Sequence, residues 1–265
     1  MLAVCATPIG NLDDVTLRVL DELRSADVVL CEDTRHTRVL LDRHGVSARL
    51  LSYHEHNEAK RTAEVLPRLL AGEGVALVSD AGLPGISDPG ARLVAAALEA
   101  GVPVTVLPGA SAVDTALVAS GFVAERYQFV GFLPRGARAL ASLWEELARW
   151  PHPVVAFESP QRLPGTLRSL VEAQSERQVA VCRELTKRFE EVVRGNAEEV
   201  AARFAEPPKG EITLVLGPGS REGDPAAAVE AVAELVAAGL PRRRAADLVA
   251  RLTGVSRNEL YRRTL

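Results

Sequence analysis

Two groups of residues in this sequence have types and spacings suited to chemistry. The first is a pair of loops rich in Gly, Pro and Ser, residues 79–90 (SDAGLPGISDPG) and 108–112 (PGASA). Gly82, Gly85, Gly90 and Gly109 allow close backbone approach to a ligand and positive φ, while Pro84, Pro89 and Pro108 stiffen the chain. Asp80 is an acceptor for a cationic or hydroxyl-bearing ligand, and Ser111 offers a hydroxyl. Neither GxxxxGK[ST] nor GxGxxG occurs, and the first loop holds no Lys or Arg before Arg92, which disfavours a phosphate cradle. The second group is charged: residues 31–38 (CEDTRHTR) and 183–191 (RELTKRFEE). Glu32, Asp33, Glu184 and Glu190 are carboxylates suited to general-base work, and Arg35, Arg183 and Lys187 can hold anions.

Each feature also has a plainer reading. Gly/Pro loops connect many ordinary strands and helices. Acids at 32–33 suit the first turn of a helix through its dipole. Alternating charge at 183–191 suits a solvated face. His54 and His56, with no Cys or Asp partner nearby, suit a polar surface network, and Trp144 and Trp150 at helical spacing suit the core.

The elements that must position these residues follow from periodicity. Apolar runs at 2–6, 27–31, 50–53, 75–78 and 102–107 read as strands, alternating with helices over 15–25 (N-capped by Asp13/Asp14), 39–44 (with Gly45 as C′), 59–71 and the Ala-rich stretch after residue 90. Strand–helix alternation with short connections predicts a parallel sheet covered on both faces, with ligands at the C-terminal ends of its strands. Strands over 127–132, 154–157, 178–182 and 211–216 then alternate with helices over 139–150, 163–173 and 196–204, as α+β or mixed α/β. Residues 217–225 read as a linker. Helices over 226–238, 241–252 and 258–264, with a Gly turn and Ser N-cap in 253–256, resemble a helix-turn-helix unit. From Leu240 onward seven Arg face only Asp247 and Glu259.

Composition narrows the class. Of 265 residues, 47% are hydrophobic and 25% charged, and the net charge of −4 exerts no global pull on nucleic acid or anionic membrane, so basic surface must be local. Lys occurs only at 60, 187 and 209 among 31 cations, so isolated Arg clusters are weak evidence of function. Cys5, Cys31 and Cys182 are far apart, with no metal-ligand spacing, and fit a reducing compartment. The N-terminus lacks the pattern of a signal peptide, and no apolar run reaches the ~18 residues of a membrane span.

The strings TPIGNLDD, CEDTRHT, VSDAGLPGISDPG, PGASA, FVGFLPR, ESPQR, CRELTKRFEEVVRG and KGEITLVLG occur in order across residues 4–217. Together they resemble the tetrapyrrole-methylase-fold superfamily of S-adenosylmethionine (SAM) methyltransferases, and within it the 2′-O-ribose methyltransferases of small-subunit rRNA. The resemblance implies an α/β, two-domain fold: a parallel-sheet α/β domain over 1–119, a mixed α/β domain over 120–219 with SAM in the cleft between, and a helical Arg-rich tail over 220–265. It implies a homodimer acting on 16S rRNA in the 30S subunit, at the 2′-OH of a decoding-centre cytidine; the cysteine spacing and the run lengths add the expectation of a cytoplasmic protein without metal or membrane. By motif matching, Pro8, Ile9, Gly10, Asp80, Gly82, Leu83, Ser111 and Ala112 should touch SAM, with Phe132, Leu133 and Thr213 as the far wall. Glu32 is the favoured base, with Arg35, Lys187 and Glu184 as further catalytic candidates. RNA contacts are expected from Arg35, Arg38, Arg135, Arg162, Arg183, Lys187, Arg188 and residues 242–244. Tetrapyrrole enzymes of the superfamily open with a GxGPGD-type turn. The departure here, Thr7-Pro8-Ile9-Gly10-Asn11, argues against the alternative of a precorrin or uroporphyrinogen C-methyltransferase. A non-enzymatic RNA-binding protein with a degenerate SAM fold is the other alternative.

Overall fold

The computed structural model describes residues 1–219 and 225–264, so most of the expected linker lies outside the described residues. The chain divides into two compact units. The first comprises Met1–Ala119 together with Cys182–Val192 and Gly210–Thr213; the second comprises Ser120–Val181, Val193–Lys209 and Leu214–Leu265. No helix among the described residues is long and apolar enough to cross a membrane.

The first unit holds β1 (Leu2–Cys5), β2 (Val28–Cys31), β3 (Leu50–Ser52), β4 (Val75–Leu77) and β5 (Val104–Leu107) in the order β3-β2-β4-β1-β5, with every pairing parallel. Strands covered on both faces need apolar side chains at every position rather than at alternate ones. Leu2, Val4, Val28, Leu30, Val75 and Leu77 pack with α3 (Glu58–Leu70) and α4 (Ala91–Glu99). Their neighbours Ala3, Cys5, Val29, Cys31 and Ala76 pack with α1 (Leu17–Ser25) and α2 (Thr34–Arg43) on the other face. This order sets the exits of β1, β2 and β4 side by side, with β5 as an edge.

Two helix starts differ from the sequence reading. Asp13 and Asp14 sit in a 3-10 turn capped by Asn11, and α1 is capped instead by Thr16, whose Oγ1 accepts from the Val19 N–H at 3.2 Å. The charged segment after β2 is the first turn of α2, N-capped by Asp33, because the Asp33 carboxylate captures the otherwise unpaired Arg35 N–H. Gly45, at φ +61°, follows α2 as expected.

The second sheet has the order β6-β7-β10-β8-β9. It contains β6 (Gln128–Phe132), β7 (Val154–Glu158), β8 (Gln178–Arg183), β9 (Glu191–Asn196) and β10 (Ile212–Leu216). Between these strands lie α6 (Ala137–Ala148), α7 (Leu163–Gln174) and α8 (Ala197–Arg203); α5 (Ala112–Ser120) precedes them. β9 was not expected from sequence. EVVRGN is a half-buried edge strand with no continuous apolar run, so only its pairing reveals it. Trp144 is a core residue, 0% exposed and donating to Ser169 Oγ, whereas Trp150 is 36% exposed rather than buried. The tail forms α9 (Pro225–Ala237), α10 (Arg242–Thr253) and α11 (Arg257–Arg263) around Val232, Ala245, Val249 and Leu260, with Gly254 at φ +77° ending α10.

Candidate cofactor and active site

The candidate site is built from the strand exits of the first unit. Thr7 and Gly82 exchange two backbone hydrogen bonds (2.8 and 3.1 Å), and Thr7 Oγ1 donates to the Ser79 carbonyl at 3.0 Å. The exits of β1 and β4 are thereby fastened together. Gly82 reverses the chain at φ +76°, where an L side chain is strained.

The turn over residues 184–190 rests on the β1 exit. Asn11 N–H donates to Thr186 Oγ1 at 2.9 Å. A Cβ on Gly10 would lie 2.5 Å from Lys187 Cγ, 2.7 Å from Thr186 Oγ1 and 2.8 Å from the Leu185 carbonyl oxygen, so only glycine permits this approach. Glu184 and Thr186 hold positive φ (53° and 64°), a strain that surrounding structure must impose. Glu190 accepts from the Thr186 N–H at 2.5 Å, and Glu184 Oε1 accepts from Lys187 Nζ (3.0 Å) and the Glu211 N–H (2.9 Å). Lys187 also pairs with Glu211 at 2.9 Å. Burial alone would raise the Glu184 carboxyl, but the Glu211 N–H and Lys187 outweigh it and hold it below its ordinary value.

Around this turn lies a pocket of about 200 Å³ lined by Pro8, Ile9, Gly10, His36, Thr37, Leu40, Ser79, Asp80, Lys187 and Glu211, among others. Four sequence-predicted cofactor residues, Pro8, Ile9, Gly10 and Asp80, meet here with Lys187. Gly82 fastens the exits, and Leu83 packs on the α3/α4 core. Ser111 Oγ accepts from the Asp114 N–H at the start of α5, next to Ala112. Thr213 is buried in β10. Phe132, which is exposed, and Leu133, which is buried, belong to the second unit.

Beside the pocket is a set of carboxylates. Asp80 Oδ1 accepts from the Asp33 N–H at 3.1 Å, tying the β2 and β4 exits together. Burial, with the charge of Asp80 next in weight, raises the Glu32 pKa; His54 opposes this. Asp88, read from sequence only as part of a loop, is pushed up to about 6 by burial and by Glu32, against a hydrogen bond from Ser79. The only sequence signal for it was its place in the SDPG string, since proximity to Glu32 is not encoded locally. Arg35 is bound bidentately by Asp33 (3.1 and 2.7 Å), and Arg183 pairs with Glu191 at 3.0 Å.

Residues 1–201 match the family described as Tetrapyrrole (Corrin/Porphyrin) Methylases, and residues 222–265 match the RsmI C-terminal HTH domain. A Mesorhizobium japonicum protein named ribosomal RNA small subunit methyltransferase I is 44% identical, over 100% of this chain and 91% of its own length. A Thermotoga maritima protein of the same name is 45% identical over 81% of this chain and 97% of its own length. Among solved structures, a uroporphyrin-III C-methyl transferase from Thermus thermophilus complexed with S-adenyl homocysteine aligns with a TM-score of 0.58. That alignment covers 82% of this chain and 96% of that one at 21% identity, a likeness of fold.

Proposed function

Because the chain belongs to the tetrapyrrole (corrin/porphyrin) methylase family, among the ribosomal RNA small subunit methyltransferase I proteins, we propose that it methylates 16S rRNA with SAM. The target is the ribose 2′-oxygen of the decoding-centre cytidine, position 1402, in the 30S subunit. The observation that carries this reading is the 44% identity to an rRNA methyltransferase along the whole chain, helical tail included. A cytoplasmic location follows from that substrate. Self-association as a homodimer is supported by the edge strand β5, where Val106 is half exposed, and by Val118 of α5, which is 82% exposed.

The donor set of the pocket fits SAM. Pro8, Ile9 and Leu40 offer an apolar wall for adenine, Asp80 opposes cationic charge, and the Lys187–Glu211 ion pair forms a polar wall. Gly10 keeps the floor thin. Gly82, Leu83, Ser111, Ala112, Phe132, Leu133 and Thr213 stay in the cofactor set on motif resemblance. When bound, SAM supplies a methyl group on a positively charged sulfur.

We assign Glu32 as the general base for the ribose hydroxyl. Its raised proton affinity makes it a stronger acceptor than an ordinary carboxylate, and such a base contributes ~10²–10⁴-fold. Burial sets that affinity first and the Asp80 charge second. Glu184 and Lys187 hold the 184–190 turn in place, and Arg35 orders Asp33 at the start of α2.

The test is mass spectrometry of 16S rRNA after incubation of 30S subunits with the protein and SAM. A methyl on that ribose is expected, and Glu32→Gln should lower turnover about 100-fold with SAM affinity unchanged. Transfer to a porphyrinoid acceptor instead of rRNA would overturn the assignment. Failure to bind SAM in calorimetry would favour a non-enzymatic RNA-binding protein.

A further inference from the structure

We propose that a cavity in the second unit binds the phosphodiester backbone of the RNA substrate through Arg135 and Arg168, an inference that rests on the rRNA reading above. The cavity has a volume of about 520 Å³ and lies among the β6 exit, the first turns of α6 and α7, and the segment following α8. It falls in the size range of small-ligand sites, and none of the residues assigned to the cofactor lines it.

Its three arginines differ in what they are free to do. Arg162 Nη2 donates to the Leu133 and Pro134 carbonyls (3.1 and 2.6 Å) and pairs with Glu158 at 3.3 Å. The Glu158 side chain is fully buried and also accepts from Thr166 Oγ1 (2.5 Å) and the Ser159 N–H (2.6 Å). Arg162 is therefore neutralised and serves to fix the corner that immediately precedes Arg135. Arg135 and Arg168 are both exposed, and neither has an ion-pair partner among the described residues. Among the described residues, the only carboxylate in the lining is that of Glu206. Two unpartnered guanidiniums against one rim carboxylate leave the cavity cationic. Their planar forks suit phosphate oxygens, and Leu140 and Pro207 give an apolar side for the attached nucleoside.

Several cations expected to meet RNA are consumed within the protein. Arg35 is held by Asp33, Arg183 by Glu191, and Lys187 by Glu184 and Glu211. Arg enrichment alone says little in this chain. What distinguishes Arg135 and Arg168 is a shared cavity without matching acids.

The test uses the full chain and 30S subunits. In Arg135→Ala/Arg168→Ala, the KM for 30S should rise about tenfold at moderate salt, with kcat and SAM affinity unchanged. The slope of log affinity against log salt should flatten by about 1.4–1.8, two phosphate contacts at 0.7–0.9 each. Arg135→Lys/Arg168→Lys should restore the slope, which a purely packing role would not do. Glu206→Gln should tighten RNA binding two- to threefold, and Arg24→Ala, an exposed arginine paired with Asp21, should change nothing. An unchanged slope in a folded double-alanine variant would overturn the proposal while leaving the methyltransferase reading intact. So would weaker binding of cytidine monophosphate with unchanged binding of rRNA, which would make the cavity a free-nucleotide site. Absence of rRNA methylation by the wild-type chain strikes the parent reading instead, and the salt slope of RNA binding still decides the cavity.

Discussion

Replacing Gly10 with Ala tests whether the 184–190 turn truly leans on the β1 exit. The added methyl would sit 2.5, 2.7 and 2.8 Å from Lys187 Cγ, Thr186 Oγ1 and the Leu185 carbonyl oxygen, all inside ordinary contact distance. The Lys187 stem can swing aside, at the expense of its ion pairs with Glu184 and Glu211. The carbonyl is backbone and the hydroxyl accepts the Asn11 N–H, so relief requires moving the whole turn and stretching that hydrogen bond. Overpacking costs ~1–3 kcal/mol and a weakened hydrogen bond about 1 kcal/mol, so a loss of about 2–4 kcal/mol is expected. For a chain of this size that corresponds to a fall in Tm of about 4–16 °C by calorimetry. Because Lys187 and Glu211 line the pocket, SAM affinity should fall at least tenfold in titration calorimetry. Gly136→Ala is the control. Its φ is −81° and its Cβ would meet nothing within 4 Å; the unfolded-state gain of Ala is offset by its poor fit to the N-cap of α6, so the change should stay within about 1 kcal/mol with SAM affinity unaltered. A Gly10→Ala protein with wild-type Tm and SAM affinity would refute the packing argument.

Asp88 ionises in the folded chain near 6 rather than 3.8, so the folded state holds its proton more tightly and stability declines as pH rises from about 4 through 6. The shift corresponds to ~3 kcal/mol, which partial exposure reduces to about 1 kcal/mol; Asp88→Asn should therefore raise the urea midpoint at pH 8, with a gain that shrinks toward pH 4. A gain independent of pH would refute this. Glu158→Gln leaves the Arg162 cation uncompensated and should cost about 2–3 kcal/mol in urea unfolding; Arg162 is partly exposed, so the value falls below that of a fully buried broken pair. Truncation after Gly219 should weaken rRNA methylation more than SAM binding, because the tail carries seven Arg from Leu240 onward and no described residue beyond Glu211 lines the pocket. Equal loss of both activities, or loss of neither, would make the tail structural rather than an RNA reader.

Much of the fold was legible because burial writes itself locally. The unbroken apolar runs of β1, β2 and β4 announce strands covered on both faces, and the Gly/Pro strings after them mark exits where backbone can approach a ligand. The missing phosphate signature and the three-helix tail were equally plain. Other features have no local signature. α2 begins five residues earlier than its apolar pattern suggests because Asp33 caps it, a matter of hydrogen-bond geometry rather than hydropathy. β9 exists only through its pairing. Glu32 and Arg35 were visible as charged residues, but the burial and the Asp80 charge that raise Glu32, the Glu32 charge that raises Asp88, and the Asp33 pair that holds Arg35 depend on side-chain placement. Asn11 and Thr186 meet across 175 residues of chain. Composition and periodicity therefore determined the elements and the kind of site. Tertiary structure alone decided which charges are spent within the protein and which stay free for a ligand, because ion pairing and desolvation depend on distances between residues remote in sequence.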